Sequence, residues 1–245
     1  MTRSGNTLSL AAGTPPVAIV TGASRGFGRA VAAALLDRGW TVAVDARRAA
    51  ELKSTARALD SARLITLPGD VTDASHRTAL VNAAVAAGPL RLLVNNASRL
   101  GPSPQPALAD YPLSDLQAVY ATNVFAPLAL IQEALPALIA DAAVVVNVTS
   151  DAAVEPYPGW GGYGSSKAAL EQLSAILTAE VPAVPVYVFD PGDMRTEMHQ
   201  AAFPGEDISD RPEPESVVPA LLQLIDTRPG PGRYRAADLT AAGAR

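Results

Sequence analysis

The 245-residue sequence predicts an α/β chain: a doubly wound parallel sheet of about seven strands, with helices on both faces, in a single domain. Three observations predict it. Short β-rich runs alternate with longer Ala/Leu-rich stretches at helical spacing. Most of the short runs are continuously apolar, which fits strands covered on both faces. The first run passes straight into a glycine-rich turn that opens a helix. Such alternation implies right-handed crossovers between parallel strands, a Rossmann-like arrangement.

In chain order, strands are expected at Val17–Val20, Thr41–Ala46, Arg63–Leu67, Leu92–Asn95, Ala143–Val148, Val184–Phe189 and Arg233–Ala236. Helices are expected between them over 27–38, 49–59, 73–87, 113–139, 163–180 and 215–226. Two segments resist assignment. Ala152–Gly162 is a Pro/Gly loop carrying Tyr157 and Trp160, and Glu197–Glu215 mixes Met198, Phe203, acidic residues and prolines. Both follow strands at their carboxyl ends, where open α/β sheets bind ligands. Loops of this length are often lids or binding loops; the plainer alternative is a solvated excursion.

A hydrophobic share of 49 % is enough for a core, and 18 % charged residues are too few for a disordered chain. A net charge of −5 opposes the dense basic face that nucleic acid or an anionic membrane requires, though it leaves room for one basic pocket. There is no cysteine, so disulfides and thiolate metal sites are excluded. His76 and His199 lie far apart in sequence, and no metal site is expected. Residues 1–14 read as a flexible leader before a domain spanning 15–245. Leu8–Ala12 is too short and mild for an export signal, and no stretch approaches the roughly 20 apolar residues of a membrane span. A cytoplasmic protein is expected.

The first strand runs into Thr21-Gly22-Ala23-Ser24-Arg25-Gly26-Phe27-Gly28. Gly22 permits a tight turn, missing side chains let a phosphate approach backbone N–H groups, and the helix N-terminus adds partial positive charge. The alternative is a glycine-rich connection needed only for close strand–helix packing. Further on, Tyr163 and Lys167 stand four apart at the start of a helix and share one face. Ser150 ends the strand before them.

The Thr-Gly-x-x-x-Gly-x-Gly spacing, with the Tyr/Lys pair, resembles the compact single-domain branch of the short-chain dehydrogenase/reductase family. The resemblance covers residues 17 to about 196. It implies a nicotinamide cofactor and a catalytic set of Asn123, Ser150, Tyr163 and Lys167. Hydride transfer to a carbonyl leaves an oxygen that needs a proton. Free tyrosine, with a pKa near 10, exchanges protons poorly at neutral pH, and a nearby ammonium is expected to lower that value. Ser150 precedes Tyr163 by 13 residues, as in the family, where the hydroxyl holds the substrate oxygen. Asn123 matches the family's helix asparagine, which fixes a water and a proton path toward the lysine. By the same resemblance the cofactor falls to Gly22, Ser24, Arg25, Gly26, Phe27, Gly28, Arg47, Asp70, Val71, Asn96, Ala97, Tyr163, Lys167, Pro191, Gly192, Met194 and Thr196. Asp70-Val71 resembles the adenine contact; as a plain alternative, Asp70 is a turn residue before a helix capped at Thr72 or Asp73. Asn95-Asn96-Ala97-Ser98 departs from the family's Asn-Asn-Ala-Gly by Ser98.

The second strand bears on NADP(H) against NAD(H). An acidic residue near its end accepts from a ribose 2′-OH, whereas an Arg meets a 2′-phosphate. Counting from Gly39 puts Ala46 at the deciding position with Arg47 after it, and Arg25 adds a second charge, which favours NADP(H). A one-residue slip would instead bring Asp45 to the ribose and leave NAD(H) possible. The expected reaction joins a small-molecule carbonyl and alcohol. A regulator that binds NADP(H) without catalysis, or chemistry at a C–C double bond or an epimerisable centre, are the other readings. The family's habit of pairing its two long helices implies a homodimer or homotetramer.

Overall fold

The computed structural model describes residues 13–242; most of the expected leader, residues 1–12, lies outside the described residues. Seven strands form one parallel sheet in the order β3-β2-β1-β4-β5-β6-β7. They are β1 Val17–Val20, β2 Thr41–Ala46, β3 Leu64–Pro68, β4 Leu90–Asn95, β5 Val144–Val148, β6 Val186–Asp190 and β7 Gly232–Arg235. Between β1 and β4 the chain changes direction across the sheet, and the crevice outside their carboxyl ends is where such sheets bind ligands.

Period-two alternation sorts the apolar runs between two cores. Val20, Val44, Val94 and Val146 face one side, and Ile19, Ala43, Leu93 and Val145 face the other. All eight are essentially inaccessible to solvent. Each large one contributes roughly 1.5–3 kcal/mol by burial. β3 is an edge strand and partly exposed, which suits Pro68 at its end, a residue with no N–H to donate.

Helices α1 Gly26–Asp37 and α2 Ala49–Leu59 follow β1 and β2, and α3 Ala74–Ala87 follows β3. Asp73 caps α3 by accepting from the Ser75 N–H. The helix expected over 113–139 is interrupted. It consists of α4 Leu113–Tyr120, a π-helical turn Ala121–Phe125 and α5 Ala126–Ala140. Pro127 explains the break, because it has no N–H to return to the carbonyl four residues back. By length and composition, residues 113–140 would suffice to cross a membrane, more than the sequence reading allowed. Here Leu130, Ile131, Ala134 and Leu138 pack against the sheet as core.

α6 Gly161–Glu180 follows β5. The second unassigned segment contains a helix, α7 Glu197–Ala202, capped by Thr196. α8 Pro214–Thr227 lies against α1, and α9 Ala236–Ala242 follows the last strand.

Candidate active site

The carboxyl ends of the central strands open on a cleft of about 760 Å³. Its β1–β2 end is built from main chain. Gly22 has φ +67°, and a Cβ there would stand 2.7 Å from Ala97 Cα. Gly26 has φ +55°, and a Cβ on Gly28 would meet Asn96 Nδ2 at 2.4 Å. Two of the three glycines therefore answer a packing demand. Asn96 is the latch: its amide donates to Thr21 O at 2.8 Å and Gly22 O at 3.2 Å. Thr21 Oγ1 accepts from the N–H groups of Asn96 and Ala97, each at 3.0 Å. The turn is thus rigid, bare of side chains and aimed along the N-terminus of α1, a geometry suited to a phosphate. Phe27 is buried and stacks on Phe189.

Asp45 does not reach toward the strand's end. One carboxylate oxygen accepts from the Gly22 N–H at 2.7 Å, and the other faces His76 Nε2 at 3.1 Å. Burial pushes this carboxyl up, while His76 and the Gly22 amide hold it down; its bond raises His76. The register pairs Asp45 with Leu67 and Ala46 with Pro68. Past it, Arg47 and Arg29 line the cleft, exposed and without an acidic partner among the described residues. Arg29 escaped the sequence reading. Arg25 is tied to Glu197 and, at 3.8 Å, to Glu51, which also holds Arg48. Ser24 Oγ reaches Glu51 at 3.5 Å.

The remaining expected contacts also line the cleft. Asp70 accepts from the N–H and hydroxyl of Thr72, a turn role beside its place in the wall, and Val71 is buried there. Pro191, Gly192, Met194 and Thr196 come from the loop after β6. Thr196 Cγ2 would lie 3.6 Å from a Cβ on Gly26, so this loop closes on the glycine turn.

At the β5–α6 end stand Ser150, Tyr163 and Lys167. Lys167 is 2 % exposed, its Nζ donating to Val148 O at 2.9 Å and lying 5.5 Å from the Tyr163 ring centre. Burial pushes the Lys167 ammonium down to about 8, with Glu171 opposing. Burial pushes the Tyr163 phenol up to about 12; a hydrogen bond with Ser98 opposes this, and Asp190 and Asp151 add to it. The phenol is thus raised where a lowered one was expected, and burial is the largest cause.

Asn123, on the π-helical turn, is fully engaged. Its Oδ1 accepts from Arg99 N at 2.8 Å and Ser98 Oγ at 3.2 Å, and its Nδ2 donates to Arg99 O and Ser166 Oγ, each at 2.9 Å. Ser98 thus stands between Tyr163 and Asn123, linked to both. Ser150 caps a short turn, accepting from Ala152 N while its hydroxyl donates to Asp151 Oδ1 at 2.9 Å.

One support came from the far end of the chain. Arg233 on β7 bonds Asp190 Oδ2 at 2.8 Å, Glu171 Oε1 at 3.1 Å and the Ser150 carbonyl at 3.2 Å. Local sequence carries no signal for this, since the partners are 43 to 83 residues away. The outer wall is aromatic. Trp160 meets Tyr163 and Phe203 at 5.8 Å and Tyr157 at 6.4 Å between ring centres.

Comparison with known proteins agrees with this geometry. The family model "short chain dehydrogenase" matches residues 16–207. The chain is 37 % identical over 184 residues to serine 3-dehydrogenase of Agrobacterium fabrum, covering 73 % of this chain and 72 % of that one. It is 33 % identical over 201 residues to sepiapterin reductase of Mus musculus, covering 76 % and 77 %. Among solved structures, a short-chain dehydrogenase of Shigella flexneri complexed with NADP superposes with a TM-score of 0.84 at 28 % identity, covering 91 % of this chain and 97 % of that one. The chain belongs to the short-chain dehydrogenase family, oxidoreductases that use a nicotinamide cofactor and act on small molecules.

Proposed function

We propose that this protein is an NADP(H)-dependent oxidoreductase that interconverts a carbonyl and a secondary alcohol, with Tyr163 as the general acid of reduction and general base of oxidation. The observation that carries the reading is the buried Tyr163 phenol beside Lys167 and Ser150 on the cleft wall. Gly22, Ser24, Gly26 and Gly28 would hold the pyrophosphate, Arg47 and Arg29 the 2′-phosphate, Asp70 and Val71 the adenine, and Asn96, Ala97, Pro191, Gly192, Met194 and Thr196 the nicotinamide half. The free guanidinium of Arg47 and the engagement of Asp45 with Gly22 and His76 support NADP(H) over NAD(H).

A nicotinamide held by these residues would supply or accept the hydride. Ser150 donates a hydrogen bond to the substrate oxygen. A phenol raised to about 12 keeps its proton through neutral pH, so Tyr163 stands ready to give it to that oxygen as charge develops. Lys167 favours the phenolate that results. Asn123 and Ser98 position the phenol from behind.

NADPH oxidation against a panel of ketones, aldehydes and quinones tests the reading. Turnover that persists in Tyr163→Phe, or its absence across the panel, would overturn it. Phe125 and Ile176, exposed apolar residues on the π-helical turn and α6, support self-assembly through these helices, which light scattering checks.

A further inference from the structure

The β5–α6 end of the cleft carries a negative charge that the protein does not neutralise. Asp151, next to Ser150, is held only by neutral donors: Ser150 Oγ at 2.9 Å, the Ala152 N–H at 2.8 Å and the Tyr157 hydroxyl at 3.0 Å. Two other carboxylates of this wall have cations. Asp190 is bonded by Arg233, and Asp193 lies 3.6 Å from both His199 Nδ1 and Arg211 Nε. Asp151 has no such partner among the described residues, and its charge is felt at the phenol of Tyr163. Tyr157, Trp160 and Phe203 line the same wall. A carboxylate beside aromatic rings is the pairing that attracts an organic cation.

The donors of Asp151 also change on turnover. A serine hydroxyl has one proton. In the structure Ser150 gives it to Asp151; to hold a substrate oxygen it must turn that proton to the substrate. Asp151 is then short of one donor at the moment the substrate is in place. We propose that the substrate itself supplies the replacement, and that this site takes carbonyl compounds and alcohols bearing a protonated amine within a few atoms of the reacting carbon, the ammonium lying between Asp151 and the Tyr157–Trp160 wall.

The inference rests on the oxidoreductase reading, and its test separates the two. Three matched methyl ketones, bearing an ammonium, a hydroxyl or a carboxylate at the same position, are compared by kcat/KM with saturating NADPH. The corresponding alcohols are compared by equilibrium binding to the NADP complex, read from tryptophan fluorescence. The ammonium compound is expected to exceed the hydroxyl one by about tenfold and the carboxylate one by more, the size of one charge-assisted contact. Asp151→Asn should bring the ammonium-to-hydroxyl ratio close to one, whatever it does to the absolute rate, and Asp151→Glu should restore part of it. Equal values for the three compounds, or a ratio that Asp151→Asn leaves in place, would overturn the inference. If none of the three is reduced, the oxidoreductase reading stands or falls on the wider panel of ketones, aldehydes and quinones, and the binding ratio decides the question of the ammonium.

Discussion

At its β1–β2 end the cleft is walled by main chain and bounded by arginines; at its β5–α6 end it is walled by side chains and bounded by a carboxylate and aromatic rings. The first end consists of a turn whose glycines are held by Asn96 and Asp45, so it presents fixed N–H groups to whatever binds there. The second consists of side chains: a phenol, an ammonium and a hydroxyl that donates to Asp151. Two kinds of recognition follow. One end grips a constant group through geometry, and the other handles a variable group through side-chain chemistry.

The sharpest way to separate the ends is Tyr163→Phe. It should lower kcat by about 10³-fold, within the range of a lost general acid, while the Kd for NADPH changes by less than about threefold. Loss of cofactor binding instead would mean that the ends are not independent. The converse is Gly22→Ala. Its Cβ has no room beside Ala97, and φ +67° disfavours any side chain. NADPH binding should weaken by about 100-fold and Tm should fall; unchanged binding by titration calorimetry would break the account of the turn. Arg47→Ala should cost about tenfold in the NADPH-to-NADH affinity ratio, chiefly through NADPH, because a 2′-phosphate loses one charge-assisted contact.

The smallest effect is electrostatic. Lys167 is depressed from 10.5 to about 8, so the unfolded chain binds more protons between those values. Stability from this group therefore rises with pH across that window, and its burdened charged form persists below about 8. Against Lys167→Met, the parent should gain Tm relative to the variant as pH goes from 8 to 10. A difference that stays flat in thermal melts would show that Lys167 is not buried as a cation.

The contrast also sorts what the sequence reveals. All seven expected strands are present; six of them and the glycine turn were legible because their causes are local: apolar runs, turn residues, and a helix that must begin at once. The Tyr163/Lys167 pair was legible because helical periodicity alone sets both on one face. The rest is long-range. Asp45 reads as a strand residue, yet its role is fixed by an amide 23 residues away. Nothing near Ser150 announces that Arg233 holds its carbonyl. The direction of the Tyr163 shift depends on burial under Trp160 and its neighbours, which a spacing rule does not see.

The π-helical turn at Ala121–Phe125 has a consequence for how the two halves of its helix can vary. An α-helix turns by roughly 100° per residue, so one surplus residue sets the phase of everything after it. Before and within the turn, that phase points Asn123 at Ser98; beyond it, it lays Leu130 and Ile131 on the sheet. Deleting Thr122 would remove the surplus residue, and the two aims could no longer both be met. The surplus residue acts as a gearing between them, letting the docking face drift in sequence without dragging the Asn123 amide away from Ser98.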